Sequence, residues 1–284
     1  MSPLNYIRAL CLSIIISAES GWANVDVAAP KVIHVASEYW PGFSNHDGSG
    51  LYFEIIKAVY EPVGIAVKFS IEPFKRARHS TVQHHHDVVI GTYSQADRGN
   101  NLLLTPHYPI NTERVLAIYH KDSTLNWHNF YQRNREDSSE PNPYSSAWII
   151  GYNYDQHLGI KKGFELRRPE QGLKMLVQRR LDVFIEPEDE TLVLLQGALA
   201  DLGAQLRWEN VSTNNIYLAF SHNPRAKQLC KIYDQRLPQL YHSGKLQALF
   251  AKWQLDISKV NFNWGKLLAQ DSCEPIEGLN SVNE

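Results

Sequence analysis

Two groups of residues could do chemistry on their own terms. His84, His85 and His86 invite a metal ion, but three consecutive side chains at a helix end point in different directions and cannot readily share one. A polar helix terminus is the better reading, and no metal site is expected. In the acidic run of residues 186–190, Glu186 and Glu188 could serve with several histidines as general acid or base groups, and the run could also be a solvated loop. No nucleophile elbow, metal-binding box or phosphate-cradling glycine loop accompanies them, and no cofactor is implied.

The chain that must position these groups has 284 residues, 43% hydrophobic and 20% charged, enough apolar content for a sizeable core. Lys and Arg number 28 against 30 Asp and Glu, a formal charge of −2 without a basic tract, which argues against a nucleic-acid partner. The apolar run at residues 9–18 follows Arg8 and is too short to cross a bilayer, but it suits the core of a signal peptide. Gly21 and Ala23 bracket Trp22 in a small-x-small arrangement, so cleavage is expected after Ala23, with residues 1–23 removed and the remainder periplasmic. Cys11 lies inside that run and lacks a small residue before it, so no lipid anchor is expected. Cys230 and Cys273 then remain. In an oxidising compartment they could pair and tie the C-terminal tail to a helix, or stand as two separate thiols.

Hydrophobic periodicity predicts strands at residues 32–40, 65–73 and 87–94, separated by helices at 51–64 and 74–85. Short apolar strands joined by helices imply parallel pairing in an open α/β sheet. Another extended run occupies 114–122. The polar stretch 129–146, with Pro141 and Pro143, reads as a helix end and a loop. Beyond it the alternation resumes with strands at 147–154, 161–168 and 181–187 around a helix at 169–180. A helix at 190–202, a strand at 215–221 and two closing helices, at 224–244 and from 245 onward, complete the pattern.

Several segments together resemble the family 3 extracytoplasmic solute-binding proteins, the polar-amino-acid-type receptors of ABC importers. They are Tyr39-Trp40-Pro41-Gly42-Phe43 after the first strand, Gly50 to Ile56 at a helix start, Pro73-Phe74-Lys75-Arg76-Ala77, Asp87-Val88-Val89-Ile90-Gly91, Asp97-Arg98, Thr105-Pro106-His107-Tyr108, and Gly172-Leu173 with Arg180-Leu181-Asp182. The resemblance implies an α/β, two-lobed periplasmic-binding-protein fold of the type II, flytrap kind, each lobe an open sheet flanked by helices. Lobe 1 would comprise residues 24–114 and 220–284, and lobe 2 residues 115–219, with crossings at 115–122 and 215–221. Ligands of open α/β sheets sit outside the carboxyl ends of the strands, and clefts between two sheets favour small-molecule sites.

The resemblance also implies site residues. Arg98 stands where family members grip a ligand carboxylate, though it could be a surface arginine beside Asp97. Tyr39, Trp40 and Phe74 match aromatic walls that could hold an ammonium by cation–π attraction, with core packing the alternative for each. Arg76 could face the cleft or solvent. Thr92, Tyr93 and Ser94 are candidate donors, on a segment one residue shorter than the family pattern. The acidic residue that receives the ligand ammonium in amino-acid receptors aligns with Pro187, so Glu186 or Glu188 would have to serve by a shift of register. The expected function is capture of a small polar ligand bearing a carboxylate or amine, partnered by the membrane permease of an ABC importer or by a membrane sensor. A periplasmic dehydratase-like enzyme on the same scaffold is the alternative, and an orphan receptor the third.

Overall fold

A computed structural model describes residues 30–93, 102–139, 141–262 and Cys273. The predicted signal segment, Ser94 and Arg98 lie outside the described residues. The first part of the chain folds in the expected alternation: β1 (Val32–Ser37), α1 (Leu51–Tyr60), β2 (Ala66–Ile71), α2 (Phe74–Val82) and β3 (Val88–Tyr93). A two-residue strand, β4 (Leu103–Leu104), precedes the long β5 (Asn111–His120). Then follow α3 (Trp127–Asn134), β6 (Ser146–Ile149), α4 (Tyr154–Leu158), β7 (Phe164–Leu166), α5 (Pro169–Val177) and β8 (Val183–Pro187). The chain continues through α6 (Glu188–Gln196), α7 (Ala200–Gly203), β9 (Leu206–Ser221), α8 (Pro224–His242) and α9 (Lys245–Lys252).

The strands form one curled sheet in the order β2-β1-β3-β9-β5-β8-β6-β7, with β4 also on β9. Its two flanks are parallel, β1 with β2 and β3, and β6 with β7 and β8. Its centre is antiparallel: β9 pairs with β3, β4 and β5, and β5 pairs with β8. The expectation of parallel pairing therefore holds for the flanks and is corrected at the centre, where strands far apart in sequence meet. With 16 residues, β9 is much longer than the expected 215–221. At about 3.3 Å per residue it extends roughly 50 Å, enough to serve both flanks. The single helix expected at 190–202 is two, separated by a turn at Gly197.

Apolar side chains divide into separate cores along the chain. One gathers buried residues from 33–110 and 216–262 with Cys273, and α1 buries Leu51, Phe53, Ile55, Ile56 and Val59 in it. The buried members of two others all come from 115–206 and cover the opposite faces of β5, β6 and β8. The changeover falls within β5 and β9, so both sheet halves hang on the same pair of strands. Ile216, Leu218 and Ala219 pack with the first half of the molecule. Cys230 on α8 is joined to Cys273, with Cα atoms 5.9 Å apart. One helical turn beyond Cys230, Asp234 accepts the backbone N–H of His107 at 2.9 Å and so anchors the loop before β5.

Candidate functional site

A cleft open to solvent lies where the ends of β3 and β5 face the β6–α4 and β8–α6 junctions. Its first wall is aromatic. Trp40 sits on the turn after β1, is 8% exposed, and packs edge-on to Tyr52 and tilted to Phe74 at ring separations of 6.4 and 6.2 Å. That placement depends on Gly91. The register of β3 against β9 slips between Ile90 and Thr92, leaving Gly91 as a bulge with φ of +98°, and a Cβ there would lie 2.3 Å from the Trp40 ring. Phe74 opens α2, and Arg78, four residues on and so on the same helical face, also lines the cleft.

The opposite wall is polar and acidic. Tyr152, Tyr154 and His157 come from the β6–α4 junction and α4, while Pro187, Asp189 and Glu190 come from the end of β8 and the start of α6. The two walls touch: the Trp40 indole N–H donates to the Tyr152 hydroxyl at 3.1 Å, and the His157 ring meets Tyr93 edge-on at 4.8 Å. Tyr152 in turn donates to Glu190 at 3.5 Å. These contacts join the two walls across the cleft.

Carboxyl groups crowd this region, and each is held above its ordinary range chiefly by removal from water. Glu113 on β5, which accepts a hydrogen bond from the Tyr93 hydroxyl, rises to about 7. Glu38, in the turn after β1, also rises to about 7 through burial, and accepts the Phe74 backbone N–H. Glu190 rises to about 8 through burial, with the charges of Glu113 and Glu38 adding to it. Glu186, 0% exposed on β8, is driven up by burial and by Glu190. Neither Glu186 oxygen meets a donor, so its carboxyl is satisfied only as a protonated acid donating to Glu190. Asp189 is raised by burial and by neighbouring Glu188.

The structure brings together some of the sequence-predicted residues and separates others. Trp40, Phe74, Thr92 and Tyr93 line the cleft, with the Thr92 hydroxyl donating to the Tyr217 carbonyl at 3.3 Å. Tyr39 is 45% exposed and stacks on His46 at 4.5 Å, because neighbours in an extended segment point to opposite sides. Arg76 is exposed, two positions from the Phe74–Arg78 face of α2. Glu188 turns outward to Arg114 at 3.1 Å, and Glu186 lies buried behind the wall. Asp189 and Glu190 stand in the cleft in their place. The histidine run engages separate partners, His84 with Ser221 and His86 with Glu72 at 2.8 Å.

Sequence reasoning passed over Glu113, Tyr152, Tyr154 and Arg78. Glu113 had a visible signal, a carboxylate interrupting the border of the apolar β5 run, and the two tyrosines follow the carboxyl end of β6, where ligands of α/β sheets bind.

Among the described residues no helix is long and apolar enough to cross a membrane. No curated protein matches the chain. Solved structures do. The GluR0 ligand-binding core from Nostoc punctiforme in complex with L-glutamate is 15% identical with a TM-score of 0.61, over 78% of this chain and 98% of that one. The substrate-binding protein of an amino acid ABC transporter is 18% identical with a TM-score of 0.60, over 78% and 98%. A histidine kinase sensor domain with similarity to periplasmic binding proteins is 16% identical with a TM-score of 0.62, over 79% and 96%. These likenesses establish the periplasmic-binding-protein fold. The profile of the bacterial extracellular solute-binding proteins, family 3, matches residues 33–256, and the chain belongs to that family.

Proposed function

We propose that this protein is a periplasmic receptor that captures a small, polar, amino-acid-like ligand in its cleft and presents it to the permease of an ABC importer. In this reading residues 1–23 are a cleaved signal peptide. Residues 24–114 with 220–284 form one lobe and 115–219 the other, hinged on β5 and β9. The observation that carries the reading is the cleft itself, with an aromatic wall and a polar wall from different halves of the chain, touching through Trp40 and Tyr152. A ligand that contacts both walls favours the closed state, which is all that capture requires.

Thermal denaturation of residues 24–284 against amino acids, amines, small carboxylates and short peptides tests it. A ligand at about a hundred times its Kd adds about 2.7 kcal/mol and moves the midpoint by several degrees. No shift with any compound would sink the receptor reading. Arg98→Ala is expected to weaken binding of a carboxylate-bearing ligand while preserving the melting point of the empty protein. Docking to a membrane sensor is the variant of the same reading, separated by whether transport or signalling is lost when the gene is deleted.

A second reading, a dehydratase-like enzyme, is favoured by one observation. Glu190 rises to about 8 in the cleft and so carries a proton at neutral pH, as a general acid must. Turnover of a bound compound separates the two.

A further inference from the structure

We propose, building on the receptor reading, that the cleft selects a small organic cation: an ammonium or guanidinium group held by Glu113, Asp189 and Glu190 against the rings of Trp40, Phe74 and Tyr152. Among the described lining residues these three carboxyls face a single permanent cation, Arg78. Among the described lining residues a carboxylate-bearing ligand would have only Arg78 as a permanent positive charge to meet, whereas a cation can take the place of the protons that burial keeps on Glu113 and Glu190. A positive group is attracted both by the carboxylates and by the faces of the aromatic rings.

A second observation points the same way. Glu186 is 0% exposed, has no donor on either oxygen, and lies directly behind Glu190. Glu38 also keeps one buried oxygen without a partner. Two carboxyls with unmet acceptors thus back the wall that Glu190 presents. A cation at Glu190 would let this set ionise, whereas the empty cleft can satisfy it only with protons. The groups facing this set are Glu38 from the turn after β1, Glu113 from β5, Glu186 from β8, Asp189 from α6, and Tyr152 and Tyr154 from the opposite junction, while Arg78 and His157 line the same cleft and Arg114 and Lys259 act on Asp189. Glu113, Glu186 and Glu190 are shifted by burial and by acidic or phenolic neighbours, not by a basic one. Capture of a cation should therefore release protons, and the affinity should climb with pH until the carboxyls are ionised.

The test is calorimetric titration of the purified protein with putrescine, L-arginine, L-glutamine and L-glutamate, at about pH 6 and about pH 8, in buffers of different ionisation heat. At least one of the two cationic compounds should bind more tightly than L-glutamine and L-glutamate. Its affinity should rise about tenfold or more between the two pH values, with net proton release. Glu190→Gln, which keeps the shape and removes the charge, should lower that affinity about tenfold or more with an unchanged or higher melting point. Glu113→Gln should act in the same direction as an independent check. Preferential binding of L-glutamate or L-glutamine, or cation binding without proton release, would overturn the cation assignment and leave the receptor reading intact. A melting point unmoved by every compound in the wider panel would remove the receptor reading itself, and this assignment with it.

Discussion

The two walls of the cleft solve different problems. On the side of β1, β3 and α2, the ring of Trp40 is seated on the Gly91 bulge and braced by Tyr52 and Phe74, a rigid apolar surface built on the largest core of the molecule. On the side of β8 and α6, the surface is made of carboxyl and phenol groups whose protonation is set by burial. One wall supplies shape and the other supplies charge. The difference teaches that shape and charge can be set by separate parts of the fold: the aromatic wall is fixed by packing, while the carboxyls of the acidic wall, which accept from Tyr93 and Tyr152, take their protonation from burial.

The comparison can be broken most severely at Trp40. Trp40→Ala removes a nearly buried ring and the only hydrogen bond seen between Trp40 and Tyr152, and should cost about 3 kcal/mol of stability in urea unfolding, along with most ligand affinity. Unchanged stability would show that the first wall is no part of the core. The acidic wall should respond to pH instead. Glu38, Glu113 and Glu190 hold folded-state values of about 7, about 7 and about 8, all above the 4.5 of an unperturbed glutamate. The folded protein therefore binds more protons than the unfolded chain over that interval, and this contribution to stability is lost as pH rises from about 5 to about 8. Melting of the ligand-free protein should fall by several degrees across that range, and Glu190→Gln should flatten the slope. A melting point that rises with pH would contradict the buried, protonated state of these carboxyls. The smallest effects are expected outside both walls. Tyr39→Ala and Arg76→Ala should each change stability by less than about 0.5 kcal/mol and ligand affinity less than about twofold, read by the same unfolding and titration measurements.

How much of this could be read in advance depends on how far apart in the chain the deciding contacts lie. The order of β1, α1, β2, α2 and β3 follows from local periodicity, and each expected segment is an element close to its expected place. The aromatic wall was also legible, because Trp40 and Phe74 sit beside recognisable strand and helix starts. The acidic wall was not. Chain geometry changes from strand to helix between Pro187 and Glu188, so side chains that alternate every two residues before that point are spaced every 3.6 residues after it. A shift of one residue in that boundary decides whether Glu186, Glu188, Asp189 or Glu190 enters the cleft. Glu113 was hidden for a related reason: only the pairing of β5 with β9 brings it under Tyr93 on β3.

By itself the sequence determined the family, the α/β alternation and the placement of an aromatic turn after the first strand, since each of these is written in residue types a few positions apart. Only the tertiary structure decided that β9 runs through both halves of one sheet, that Cys230 meets Cys273, and that Asp189, Glu190 and Glu113 share one cleft while Glu188 turns to Arg114. Those outcomes depend on strand register and on which surfaces are withdrawn from water. Both are properties of residues that are distant in the chain and become neighbours only when the whole sheet is assembled.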